Sequence, residues 1–166
     1  MRDHVHYLME AVKEAAAARE NGNTPFGAVL VDADGTIVLR RQNIEITERD
    51  CTGHAETALA RAAAKRYDKE FLWHCTLYSI AEPCAMCTGA IYWANVGRIV
   101  YGITEKQLLS LTGADEQNPT FDLPCRDILA RGQKPIEVIG PVDAVAEAVL
   151  EVHAGYWSNQ AEAPAE

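Results

Sequence analysis

The sequence predicts a three-layer α/β/α sandwich built on a five-stranded mixed sheet. Three observations lead there. Asp34-Gly35 joins two short apolar runs, which is a β-hairpin signal. Beyond that hairpin, strand-like and helix-like segments alternate. The chain has 166 residues, 48% apolar and 23% charged, enough to bury a sizeable core as one domain without disulfide staples.

Each element has its own reason. Residues 3–20 read as a helix, with Asp3 as cap, Val5, Leu8, Met9, Val12 and Ala16 near one stripe, and Asn21-Gly22-Asn23 as the stop. Residues 26–31 form a short apolar strand and residues 36–41 its hairpin partner. A polar loop runs to Gly53. Residues 54–66 are Ala-rich without Gly or Pro, hence helical. Residues 75–80 make a third strand. Pro83 opens a helix that runs to Ala94, with Trp93 in its apolar pattern, and Asn95 and Gly97 close it. Residues 99–103 are a fourth strand. Residues 112–126 carry Pro119 and Pro124 and read as a long loop of the kind that is usually functional. Residues 136–139 are a fifth strand and 142–157 a last helix. The sheet is expected to be antiparallel at the hairpin and parallel afterwards, with right-handed crossovers. A single domain over 1–157 and a frayed tail over 158–166 follow.

Charge narrows the partners. Fifteen Lys and Arg against 24 Asp and Glu leave a net charge of −9, and no basic residue follows Lys134. That field opposes a phosphate backbone, so nucleic acid is not the expected partner. No apolar run reaches the ~18 residues of a membrane span, and the first residues lack a signal-peptide pattern. A cytoplasmic protein is expected. Five cysteines, an odd number, argue against a secreted disulfide framework.

Two predicted helix starts carry the chemistry: His54-Ala55-Glu56 and Pro83-Cys84-Ala85-Met86-Cys87. A histidine at a helix start is usually a cap or a surface residue. A single C-x-x-C can be a redox pair, but that pair opens a helix after the first strand of its fold, and here it follows the third. His54, Cys84 and Cys87 are one ligand short of a closed structural zinc site, which is what a catalytic zinc needs. Helix N-termini favour thiolates over thiols. Glu56, no ligand itself, can reach a water at the fourth position. H-x-E followed by P-C-x-x-C is the zinc deaminase signature, and both halves occur once, in order, with 26 residues between Glu56 and Pro83.

At these residues the chain resembles the cytidine-deaminase-like superfamily of zinc-dependent deaminases. The likeness runs from Thr24-Pro25-Phe26-Gly27-Ala28 to about Ile103. The run from Glu82 to Ala94 is most similar to bacterial guanine deaminases and related nucleobase deaminases. The resemblance implies Zn2+ as cofactor and Glu56 as proton carrier. It implies Asn43 and the Ala55 N–H as donors to the base, and Phe26 against its face. It also implies a second acid after the fourth strand, Asp115 or Glu116, that serves the departing amine. The expected reaction is guanine to xanthine plus ammonia. Ala114 stands where the family has an aromatic, and the loop through Phe121 is long, which leaves room for a pterin, a triazine, cytosine or a nucleoside. A tRNA-editing adenosine deaminase is the competing enzyme reading, kept open by Arg40, Arg41 and Arg49. A non-catalytic zinc-binding module is the competing non-enzyme reading. A homodimer is expected from the family likeness, the short Ala-rich helices and the aromatics near the end.

Overall fold

The structure is a computed structural model and describes residues 2–113 and 115–157. The predicted tail at 158–166 lies outside the described residues.

Helix α1 (His4–Glu20) is capped by Asp3, whose carboxylate accepts the His6 N–H at 3.0 Å. Its buried face is Leu8, Ala11, Ala15 and Ala18, while Val5 and Met9 point outward. The predicted stripe is therefore rotated towards the small residues. The reason is close approach: a Cβ on Gly27 would lie 2.4 Å from the Ala15 nitrogen and 2.5 Å from the Ala11 oxygen. The helix backbone sits directly on the strand that Gly27 opens.

That strand, β1 (Gly27–Val31), is buried throughout and pairs antiparallel with β2 (Ile37–Gln42). The chain continues through α2 (Glu45–Glu48), α3 (Ala55–Arg66), α4 (Lys69–Trp73) and β3 (Thr76–Ala81). Then come α5 (Ala85–Ala94), β4 (Arg98–Ile103), α6 (Glu105–Thr112), α7 (Cys125–Leu129) and β5 (Glu137–Ile139). A 3-10 turn at Asp143–Val145 leads into α8 (Ala146–His153).

The strand order is β2-β1-β3-β4-β5. The expectation of parallel pairing everywhere after the hairpin is corrected at one place. β3 pairs antiparallel with β1, because it runs in the direction of β2; β3–β4 and β4–β5 are parallel as expected. The period of two along β1 divides the core. Ala28 and Leu30 face a cluster with Leu59, Leu77, Ile91 and Ile99, under α3 and α5. Val29 and Val31 face one with Leu8, Tyr78, Val100 and Val149, under α1 and α8. These are the two outer layers of the sandwich.

Other differences from the sequence reading have simple causes. α2, α4 and α7 span four or five residues, too few for a periodic pattern. The last helix is shorter than 142–157 and stops at His153, so Tyr156 and Trp157 lie in the turn beyond it. Trp93 is 76% exposed and is not a core residue; Trp157 is buried instead. No helix among the described residues is long and apolar enough to cross a membrane.

Candidate active site

β2, β3 and β4 run the same way, so the segments leaving their C-terminal ends meet at one edge of the sheet. Asn43 follows β2, Cys84 follows β3 and Glu105 follows β4. They border a cavity of about 280 Å³ that also takes in His54 and Glu56.

His54 and Cys84 are the N-caps of α3 and α5, and Cys87 lies in the first turn of α5. Both Sγ atoms stand 3.5 Å from His54 Nδ1. The three donor atoms lie within 4.8 Å of one another. A tetrahedral zinc with Zn–S near 2.3 Å and Zn–N near 2.0 Å sets its sulfur and nitrogen donors about 3.5 Å apart. The donor set therefore fits zinc in spacing as well as in softness.

The charges around these donors are linked. The hydrogen bond from Cys87 is the main reason the Cys84 thiol falls to about 4, and His54 adds to it. The same bond and burial push Cys87 up. Burial pulls His54 down, but hydrogen bonds to Cys84 and Glu45 outweigh it and raise the ring to about 11. Thr57 Oγ1 donates to Cys87 Sγ at 3.2 Å.

Glu45 orients the histidine. Its Oε1 is 3.0 Å from His54 Nε2, which leaves Nδ1 for the sulfurs' side. The other oxygen accepts from Asn43 Nδ2 at 3.1 Å, while Asn43 Oδ1 accepts the Glu45 N–H at 2.9 Å. These two bonds fix which way the Asn43 amide points and leave one amide hydrogen unspent.

Glu56 is buried, and burial pushes its carboxyl up. Ser79 Oγ donates to its Oε1 at 2.6 Å, and Cys87 Sγ lies 3.6 Å from its Oε2. Phe26 lines the cavity and meets the His153 ring edge-on at 5.1 Å. Ala55 is the buried first residue of α3, where N–H groups lack an acceptor within the helix.

Asp115 and Glu116 are not brought into the cavity wall. Its far side is made by residues 117–121, and Asp115 instead closes the preceding turn, accepting the Gln117 N–H at 2.9 Å. Three other acids that sequence reasoning passed over are present. Glu45 borders the cavity two residues past Asn43. Glu82, read only as part of a likeness, is buried and accepts the N–H groups of Glu105 at 3.0 Å and Cys125 at 2.9 Å. Glu105 is raised to about 8 by burial and by the charges of Cys84, Glu82 and Glu56. The signal for α6 was legible: Thr104 and Gln107 form a capping box around it.

Comparison with known proteins extends this picture. Residues 1–103 match the cytidine and deoxycytidylate deaminase zinc-binding region. A probable cytosine deaminase of Schizosaccharomyces pombe is 38% identical over 92% of this chain and 91% of its own length. The guanine deaminase of Bacillus subtilis is 42% identical over 60% of this chain and 64% of its own. The tRNA-specific adenosine deaminase of the same organism is 42% identical over 58% of this chain and 59% of its own. The chain thus spans less than two thirds of both Bacillus proteins. Among solved structures, the Bacillus subtilis guanine deaminase superposes with a TM-score of 0.59 at 32% identity, over 78% of this chain and 90% of that one. A guanine deaminase from Nitrosomonas europaea gives 0.68 at 23% identity, over 89% of this chain and 83% of that one, which is a likeness of fold.

Proposed function

The chain belongs to the cytidine and deoxycytidylate deaminase family, zinc-type enzymes that hydrolyse a C–N bond, and we propose that it deaminates a small free base, guanine foremost. The observation that carries this reading is the cavity at the His54, Cys84, Cys87 and Glu56 cluster. At about 280 Å³ it lies just below the ~300–1,000 Å³ range of small-molecule pockets, which suits a single ring system.

Zinc held by His54, Cys84 and Cys87 supplies Lewis-acid activation of water near neutral pH. The protein's own groups do the rest. Glu56 takes the proton of the attacking water and passes it to the ring nitrogen beside the attacked carbon. It then takes the remaining proton of that water, now the hydroxyl on the attacked carbon, and delivers it to the departing amine as the C–N bond breaks and the carbonyl forms. Its raised affinity for protons suits that double role. Asn43 offers its unspent amide hydrogen to a base oxygen, the Ala55 N–H offers a second, and Phe26 packs on the ring.

Cytosine is the second reading, favoured by the near full-length similarity to the Schizosaccharomyces pombe relative. A tRNA substrate is opposed by the net charge of −9. The local basic patch is also partly neutralised: Arg40 pairs with Glu10 at 2.8 Å. We further propose a homodimer, for which exposed Trp93 on α5 is the main support.

The test is ammonia release from guanine, cytosine, adenine, a pterin and a tRNA anticodon stem-loop, with products identified as xanthine, uracil or inosine. Xanthine is expected. Inosine in the stem-loop with no turnover of a free base refutes the reading. Light scattering checks the dimer.

A further inference from the structure

We propose that Glu105 is a specificity residue whose carboxyl hydrogen-bonds the polar edge of the bound heterocycle. The inference rests on the free-base reading above and names a contact that reading does not use.

Placement comes first. In the strand order, β1 and β3 separate β2 from β4. At about 4.8 Å per strand, the ends of β2 and β4 lie about 14 Å apart. Asn43 leaves one of those ends and Glu105 the other, and Cys84 leaves β3 between them. A flat ring seated by Cys84 and Glu56 therefore has Asn43 at one rim and Glu105 at the opposite rim. Both residues border the same cavity.

The state of the carboxyl is the second observation. Glu105 is 4% exposed, and its Oε2 is buried with no hydrogen-bond partner among the described residues. Buried polar atoms are nearly always satisfied, so one facing a cavity points to a missing partner. The neighbouring acids do not share this condition. Glu82 holds two backbone N–H groups and Glu56 holds the Ser79 hydroxyl. The Glu105 backbone is also fixed, by Glu82 on its own N–H and by the Thr104–Gln107 capping box around it. A held side chain with an open valence is prepared to read a ring N–H, an amino group or an oxo group.

A purely structural account exists, because an acid in the first turn complements the helix dipole of α6. The two accounts differ in what they do to selectivity. Loss of a dipole partner weakens the protein towards every base alike. Loss of a reading group changes the ratio between bases.

The experiment compares wild type, Glu105→Leu and Glu105→Gln, all zinc-loaded, with metal content and circular dichroism measured on each. Calorimetric Kd and steady-state kcat/KM are taken for guanine, cytosine and adenine. Glu105→Leu is expected to weaken binding of the preferred base about ten- to hundred-fold and to shrink its preference over the others at least ten-fold. The loss should lie mainly in KM. Glu105→Gln, which keeps the shape and some hydrogen bonding, should fall between. Preference ratios within two-fold of wild type in the variants overturn the inference alone. If Glu105→Leu does not fold, the Glu105→Gln ratio decides by the same limit. A wild type that neither binds nor turns over any of the bases overturns the free-base reading and this inference with it.

Discussion

Acidification should weaken the fold through one buried histidine that is not a metal ligand. His153 is fully buried, and its ring stacks on Trp157 and meets Phe26 edge-on. Trp157 Nε1–H donates to His153 Nδ1 at 2.9 Å, so the neutral ring carries its proton on Nε2. A second proton would have to enter at Nδ1, where the indole N–H already points. Burial and the Arg19 charge accordingly pull the ring down to about 4, from 6.5 when exposed. Well above pH 6.5 neither state holds the extra proton and the stability is fully present. Below it the unfolded chain takes up a proton that the folded one refuses, so stability falls until about pH 4 and then levels off. Linkage with these two values gives a loss of about 2 kcal/mol between pH 7 and pH 5, and about 3 kcal/mol at the plateau. Urea unfolding of wild type and His153→Gln at both pH values isolates it, since metal release with acid affects both proteins. The wild type should lose about 2 kcal/mol more than the variant. Equal losses in the two, or a ring that titrates near 6.5 by NMR in the folded protein, would refute the reasoning.

Three further outcomes are expected. Glu56→Gln should keep its zinc and lose at least the ~10²–10⁴-fold of a general acid–base residue, read as ammonia release beside metal content. Glu45→Ala should retain the fold but bind zinc about 10–100-fold more weakly in chelator competition, because His54 loses the acceptor that orients it. Glu82→Ala should destabilise the protein by about 2–5 kcal/mol in denaturant melts, because two buried N–H groups lose their acceptor.

The sequence was informative where a pattern is local. Asp34-Gly35 identified the hairpin, and the C-x-x-C spacing placed Cys84 and Cys87 at a helix start. Their convergence with His54 followed from chemistry, as three donors of suitable softness. What could not be read locally depends on the sheet. Glu105 and Asn43 are 62 positions apart and share a cavity only because β2 and β4 run the same way. The antiparallel β1–β3 pairing is a tertiary choice with no local sign. The outward face of Trp93 was misread because a helix buried on one side only can still look apolar around its circumference, as α5 does with Ala90, Ile91 and Ala94. Of the buried face of α1 only Leu8 was read, for the opposite reason, since alanines at helical spacing such as Ala11, Ala15 and Ala18 are a weak hydrophobic signal.

The double grip of Glu82 divides the labour of the site. One carboxylate at the end of β3 fastens the start of α6 and the start of α7, immediately before the Pro83-Cys84 step. The stretch joining those two helices forms the far wall of the cavity, yet the helix before it and the helix after it are both moored at their starts to the residue that follows β3, two positions before Cys84. It behaves as an exchangeable panel in a fixed frame. Doubling the length of such a stretch raises its closure cost by only about 0.6 kcal/mol. Substrate range can therefore be re-cut in residues 113–124 by insertion or replacement, with the donor atoms left in register behind it.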